Sequence, residues 1–286
     1  MLWSLVSSLI KHSSVSHTIV TPQYVLSPRI IGKCSDQLLC RRQQNNWKQS
    51  KQIRHQLNNQ LGNSNQSGNM ANIDNIRISV IQPEDRQRVL DFLRIHYYCE
   101  EPLTVGREPK QQDPADEEFN LSNINHGTCL MAINTETESI VGAVLAGPKG
   151  PDEAEHLFEE AAAEGQSKWG IILKFLAGVE RDANVFQRYG VQKALHAHVL
   201  GVDGEMRGKN IGGRLMSELM RLGKKLGYEI LTADCTSYYS ARLCERLGWE
   251  CINAAYYADY VDDVNKKPVF VVQPPHDCCR TFAQRL

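Results

Sequence analysis

The sequence predicts one α/β (α+β) domain over residues 73–286, with strands and helices interleaved and no internal repeat. Three observations predict it. Ile76-Arg77-Ile78-Ser79-Val80-Ile81 alternates apolar and polar, the period of a strand with one buried face. Residues 195–202 are an apolar run of strand length. A Gly-rich turn then leads into Ile211, Leu215, Leu219, Leu222 and Leu226, an amphipathic stripe closed by Gly227, which is a helix with its terminator.

The elements follow in order. After the first strand, Gln82-Pro83-Glu84-Asp85 supplies a helix start, with proline and acids in the first turn. Val89, Leu90, Leu93 and then His96-Tyr97 continue it at helical spacing. Past Glu101-Pro102 the chain reads as a polar connection, leading to a short acidic helix at 113–121. Residues 128–134 and 140–146 form an antiparallel strand pair across a polar turn at Glu136-Thr137-Glu138. Residues 152–163 and 169–184 are helices, and the strand at 195–202 carries His196 and His198 on one side. Beyond the amphipathic helix, residues 229–235 make a strand and 240–247 a short helix ending at Gly248. Two further strands are expected at 249–256 and 269–272.

Composition narrows the function classes. Apolar residues are 42% and charged residues 23% of the 286, and mean hydropathy is −0.40, which suits a soluble globular protein. No stretch approaches the roughly 18 consecutive apolar residues of a membrane-spanning helix, so no membrane partner is expected. A formal net charge of −1 lacks the basic surplus of nucleic-acid binders. Nine cysteines without regular spacing do not read as a disulfide framework, which points to a reducing compartment such as the cytoplasm. A monomer is expected.

The average hides an asymmetry. Residues 1–70 carry eight Lys/Arg and one acid, for a net charge of +7, leaving −8 on the remainder. Residues 1–42 form a basic, Ser-rich extension. They fit an organellar, for example mitochondrial, targeting peptide in being almost free of acids, but the first 28 residues hold a single Lys and no Arg. A dispensable extension ahead of an alternative start at Met70 fits equally well. In residues 43–72, 15 of 30 are Asn or Gln, too little apolar surface to offset ordering entropy, so this segment is expected to be a disordered linker.

The chemistry-bearing stretch is Asp203-Gly-Glu-Met-Arg207-Gly208-Lys209-Asn210-Ile211-Gly212-Gly213, a strand-to-helix turn rich in glycine. Small residues allow close backbone approach, and unpaired N–H groups at a helix N-terminus bind phosphate. The turn matches neither G-x-x-x-x-G-K-[ST] nor G-x-G-x-x-G, so taken alone it reads as an ordinary tight turn ahead of any phosphate site, with a nucleotide-phosphate module the last alternative.

Arg207-Gly-Lys-Asn-Ile-Gly212 resembles the acetyl-CoA pyrophosphate loop of the GNAT N-acetyltransferase superfamily, R/Q-x-x-G-x-G/A, with Asn210 where glycine is usual. Asn tolerates positive φ better than most residues, so the loop conformation is expected to survive. Ile81-Gln-Pro-Glu-Asp85, Glu101-Pro-Leu103 and Thr236-Ser-Tyr-Tyr-Ser-Ala-Arg-Leu-Cys-Glu-Arg-Leu-Gly248 are similar to one branch, the insect arylalkylamine (dopamine-type) N-acetyltransferases. The match in order and spacing runs from Ile76 to near the C-terminus.

The resemblance implies a central mixed, mostly antiparallel twisted sheet flanked by helices, with acetyl-CoA as cosubstrate, no metal, and a small-molecule amine as partner. It places the base on Glu101, with Glu100 adjacent and left open. Backbone donors map to Leu200, Gly201 and Val202, and the pyrophosphate loop to residues 207–213. Thiolate protonation falls to Thr236 and Ser240, with Tyr239 a second candidate. Ser240 would equally serve as a helix N-cap. Arylalkylamines are the expected acceptors. Polyamines or other non-aromatic amines, and a CoA-binding protein with little catalysis, are the alternatives. Cys278-Cys279 with His276 lacks the paired spacing of a zinc site. His196, His198, Cys235 and Cys244 read as structural, and Tyr97, Tyr98, Tyr238 and Tyr256 as core or as walls of an aromatic pocket.

Overall fold

The alternation at the start of the domain becomes β1 (Ile76–Val80), which pairs antiparallel with β2 (Leu130–Asn134), as β2 does with β3 (Ser139–Lys149). The computed structural model describes residues 75–286, so the extension at 1–42 and the linker at 43–72 lie outside the described residues. Between β1 and β2 come α1 (Arg86–His96), the single turn α2 (Pro102–Val105) and the acidic α3 (Pro114–Ser122). After β3 the chain forms α4 (Glu153–Glu164), α5 (Lys168–Ala183) and a short α6 (Val185–Tyr189). Then follow β4 (Ala194–Val202), α7 (Ile211–Lys225), β5 (Ile230–Cys235), α8 (Tyr238–Arg246), β6 (Glu250–Tyr256) and β7 (Cys278–Arg285).

The seven strands form one sheet, ordered β1-β2-β3-β4-β5-β7-β6. Only β4 and β5 run parallel; every other pair is antiparallel, the mixed sheet expected. Alternate residues of each strand enter different cores. Leu130, Ala132, Val144, Leu195 and Leu231 pack under Ile211, Leu215 and Leu219 of α7 and Leu243 of α8. Met131, Ile133, Ala143, Leu145 and Val199 pack on Val89, Phe92 and Leu93 of α1. The helices therefore cover both faces. Gly142 permits the closeness of α7, because a Cβ there would lie 2.9 Å from Ile211 and 3.0 Å from Leu215.

The structure corrects the sequence reading in three places. The connection after Pro102 is not plain loop, since Pro102, Leu103 and Thr104 fold into a buried turn that begins at proline and is capped by Glu101. Residues 269–272 do not form a strand. Val269 and Val271 each make one backbone bond, to the carbonyls of Tyr260 and Gly106, and Gln273-Pro274-Pro275 then supplies two residues without an N–H. The last strand is β7, inserted between β5 and β6. Cys278 and Cys279 are buried in it rather than sitting on a tail. Its polar residues find partners, Thr281 donating to Asp234 at 2.7 Å and Arg280 pairing with Glu245 at 3.1 Å, which is why an apolar pattern does not betray it.

Candidate active site

Two parallel strands that separate make the site. The β4–β5 ladder runs from Ala194↔Ile230 to Ala197↔Ala233 and stops, while β4 continues to Val202 and β5 to Cys235. The separation coincides with a bulge in β4. Ala146 pairs with Ala197 and Leu145 with Val199, leaving His198 as the extra residue. Past the bulge the Asp203 N–H donates to Val141 at 3.0 Å. Antiparallel pairs alternate, so Val199 and Gly201 also bond toward β3 while the backbone groups of Leu200 and Val202 face the gap.

Into that gap opens a cavity of about 1050 Å³, lined by Glu101, Leu200, Val202, Arg207, Gly208, Asn210, Ile211, Gly212, Gly213, Thr236, Tyr239 and Ser240. Residues predicted from four separate stretches thus share one space. Gly201 and Lys209 stand outside its lining. Gly201 instead lets α1 approach, since a Cβ would meet Leu93 at 3.3 Å and Phe92 at 3.4 Å.

On one side the site is mostly backbone. Gly208 has φ +79° and Asn210 φ +57°, the left-handed conformation expected of position 210. Asn210 is the residue before the first turn of α7, and its carbonyl accepts from the Arg214 N–H, so the N–H groups of Ile211, Gly212 and Gly213 head the helix without intrahelical acceptors. Gly213 also makes room for the Asn210 side chain, whose Oδ1 would lie 2.2 Å from a Cβ there. With Arg207 at the loop's start, these donors suit a pyrophosphate, and the open edge at Leu200 and Val202 suits a pantetheine arm.

The rest of the lining is built from side chains. Glu101 is buried, and its two oxygens accept from the Leu103 N–H at 3.1 Å and the Thr104 N–H at 2.5 Å. Glu100 also lines the cavity, where it is engaged in an ion pair with Arg207 at 2.7 Å. Ser237, not Ser240, caps α8, accepting from the Ser240 N–H at 3.1 Å. The Ser240 hydroxyl donates to the Ser237 carbonyl at 2.9 Å. The Thr236 carbonyl accepts from the Tyr257 hydroxyl at 2.6 Å, while its own hydroxyl has no partner among the described residues. Tyr239 is 65% exposed and stands edge-on to Tyr238 and His276.

His276 is a cavity residue that the sequence reading weighed only as a metal ligand. Its Nδ1 accepts from the Tyr238 N–H at 3.1 Å, so the ring proton sits on Nε2, and burial lowers its pKa and favours that neutral form. Asp234 and His198 also line the cavity. Burial raises the Asp234 carboxyl to about 6, and burial together with the Lys149 ammonium depresses His198 to about 3. Glu180, His196 and Asp234 can bring ligand atoms within 4.8 Å of one another. The Lys149 ammonium already pairs with Glu180 at 2.5 Å, which balances that cluster's charge.

A mixed sheet parted between two parallel strands, over a cavity lined by a glycine-rich helix start and a buried carboxylate, is the architecture of an acetyltransferase fold. The chain belongs to the acetyltransferase (GNAT) family, whose model matches residues 91–249. Acetyl-CoA is the acyl donor of this family, and its members of this kind act on amines. Among solved structures the chain is similar to a Drosophila melanogaster polyamine N-acetyltransferase that forms N-acetylagmatine, at 43% identity and TM-score 0.70, over 74% of this chain and all (100%) of that one. It is similar to a mosquito arylalkylamine N-acetyltransferase-like protein 5b at 37% identity and TM-score 0.70, again over 74% of this chain and 100% of the other. An Aedes aegypti arylalkylamine N-acetyltransferase 2 matches at 27% identity and TM-score 0.69, over 74% and 99%. No helix among the described residues is long and apolar enough to cross a membrane.

Proposed function

We propose that this chain transfers acetyl from acetyl-CoA to the primary amine of a small molecule by direct attack, with Glu101 taking up the amine proton. The observation that carries the reading is the shared cavity, which holds the anion loop, the open edge of β4, Glu101 and the turn at 236–240 together. Acetyl-CoA supplies an activated thioester. An amine of pKa about 10 is mostly protonated at pH 7, and only its neutral form attacks. A carboxylate accepts up to about four hydrogen bonds. Glu101 receives two from backbone, which fix it while leaving lone pairs for the amine proton, directly or through one water. Glu100 is the weaker candidate because Arg207 engages it.

The backbone N–H groups of Leu200 and Val202 are the donors available to an oxygen gaining negative charge. For the departing thiolate the uncommitted Thr236 hydroxyl is better placed to donate than Ser240, whose proton is held by Ser237. Tyr239 remains the second donor.

The edge-to-face group of Tyr238, Tyr239 and His276 gives an aromatic acceptor a wall, which supports arylalkylamines. A second acceptor class, amines carrying a distal cation as agmatine does, is favoured by the Asp234 carboxyl in the cavity and by the 43% identity to the polyamine enzyme. CoA thiol release with dopamine, tyramine, serotonin, agmatine, spermidine and a lysine peptide decides. Release with the aromatic amines supports the first class, and release confined to agmatine and spermidine replaces it with the second. Measured acetyl-CoA binding without release from any amine would leave a CoA-binding protein and refute catalysis.

A further inference from the structure

Glu101 caps one end of α2, and Lys168 holds the other. The Lys168 ammonium donates to the carbonyl of Thr104 in α2, to that of Pro109 at 2.7 Å and to that of Gln111 at 2.8 Å. The Thr104 N–H donates in turn to Glu101. The two bonds fall on the peptide units that flank Thr104, with only its Cα between them. Lys168 is the first residue of α5, where a positive charge opposes the helix dipole, and it is 8% exposed. A buried cation in that position is tolerable only when its three N–H donors find three acceptors, as these do.

We propose that Lys168 is a positioning residue, whose ammonium straps the carbonyls of Thr104, Pro109 and Gln111 together and so holds α2 and the Glu101 carboxylate at the cavity wall. The proposal rests on the reading of Glu101 as the base. The loop has other ties, from Arg107 to the Val269 carbonyl at 3.2 Å and from the Val271 N–H to Gly106 at 2.7 Å, but these hold its far side against the C-terminal segment. Of these ties among the described residues, the one from Lys168 is the one that reaches a carbonyl within α2.

The charged groups facing Lys168 are Glu101, Asp116, Asp113 and Glu108. Burial outweighs their pull and lowers the lysine from 10.5 to about 8. Opening the strap returns the ammonium to water and to its ordinary 10.5, so opening becomes less favourable as pH rises from about 8 to 10.5. With its folded pKa below the unfolded one, this group contributes stability that rises between about 8 and 10.5.

The test uses the full chain, acetyl-CoA and whichever amine of the panel gives the fastest thiol release. Lys168→Met should lower kcat by roughly 10- to 100-fold, the scale of a misplaced catalytic group, with acetyl-CoA KM within about twofold. Amide hydrogen exchange of residues 103–111 should quicken roughly tenfold, and the alkaline gain in protection expected of the unsubstituted protein should be absent. Should Lys168→Met not fold, the unsubstituted chain decides: protection of residues 103–111 must rise above about pH 8 relative to α7 in the same molecule. Unchanged protection, or an alkaline rise in protection that persists in Lys168→Met, overturns the strap. Faster exchange in Lys168→Met beside full activity of Glu101→Ala overturns the Glu101 reading instead, and with it the positioning role.

Discussion

The two walls of the cavity are made in different ways. The β4 and α7 wall is one continuous stretch, residues 200–213, and presents backbone: the open edge at Leu200 and Val202, left-handed Gly208 and Asn210, and the first N–H groups of α7. The other part of the lining presents side chains from three places distant in the sequence, Glu101, the turn at 236–240, and His276. Backbone contacts tolerate substitution as long as the conformation is kept, whereas a proton acceptor has no substitute. The first wall should therefore govern cofactor affinity, and the second the rate.

The largest effect expected is on the side-chain wall. Glu101→Ala should reduce kcat by roughly 10²–10⁴, the scale for losing a general base. Steady-state thiol release measures it, and full activity in Glu101→Ala with loss in Glu100→Ala would move the role to the neighbour. On the backbone wall the counterpart is Gly208→Val. A β-branched residue at φ +79° is strained by about 1–2 kcal/mol, so acetyl-CoA affinity should fall about tenfold while kcat at saturation holds. Equal losses in both constants would show that the walls are not separable.

Beneath the cavity the buried histidines set an acid limit. His198 is depressed to about 3 from 6.5, chiefly by burial, and His196 is lowered for the same reason. The unfolded chain binds more protons than the fold between those values, so stability from these groups is lost as pH drops from 6.5 toward 3. Thermal midpoints should decline over that range, less steeply in His198→Gln; an unchanged slope would mean that another group sets the limit. The smallest effect is expected at Asn210→Gly. Glycine adopts the left-handed conformation more readily, so acetyl-CoA affinity should stay within about twofold or improve. A large loss would mean that the Asn210 side chain touches the cofactor.

The contrast between the walls also explains what could be read in advance. The strand, Gly-rich turn and amphipathic stripe of 195–226 sit together in the sequence, so the elements of that wall were legible from the residues. The role of the turn came from the resemblance, and Gly201 and Lys209 fall outside the lining. Glu101 and the turn at 236–240 stand out only by resemblance to a family, because a lone carboxylate or hydroxyl carries no pattern. His276 had neither signal. It follows a Pro-Pro pair in a loop, and only the fold brings its ring beside Tyr239. The same holds for β7, whose polar Arg280 and Thr281 mask a central strand, and for α2, where four residues are too few for helical spacing to appear. The cap is where local chemistry misled: Ser237 and Ser240 both suit a helix start, and the backbone chose the earlier one.

The separation of binding from chemistry is tested most directly by titrating acetyl-CoA into Glu101→Ala calorimetrically. Retained affinity, within about twofold of the unsubstituted chain, beside a loss of at least about 100-fold in thiol release is the predicted result. Affinity lost in step with rate would contradict it, placing Glu101 among the groups that hold the cofactor.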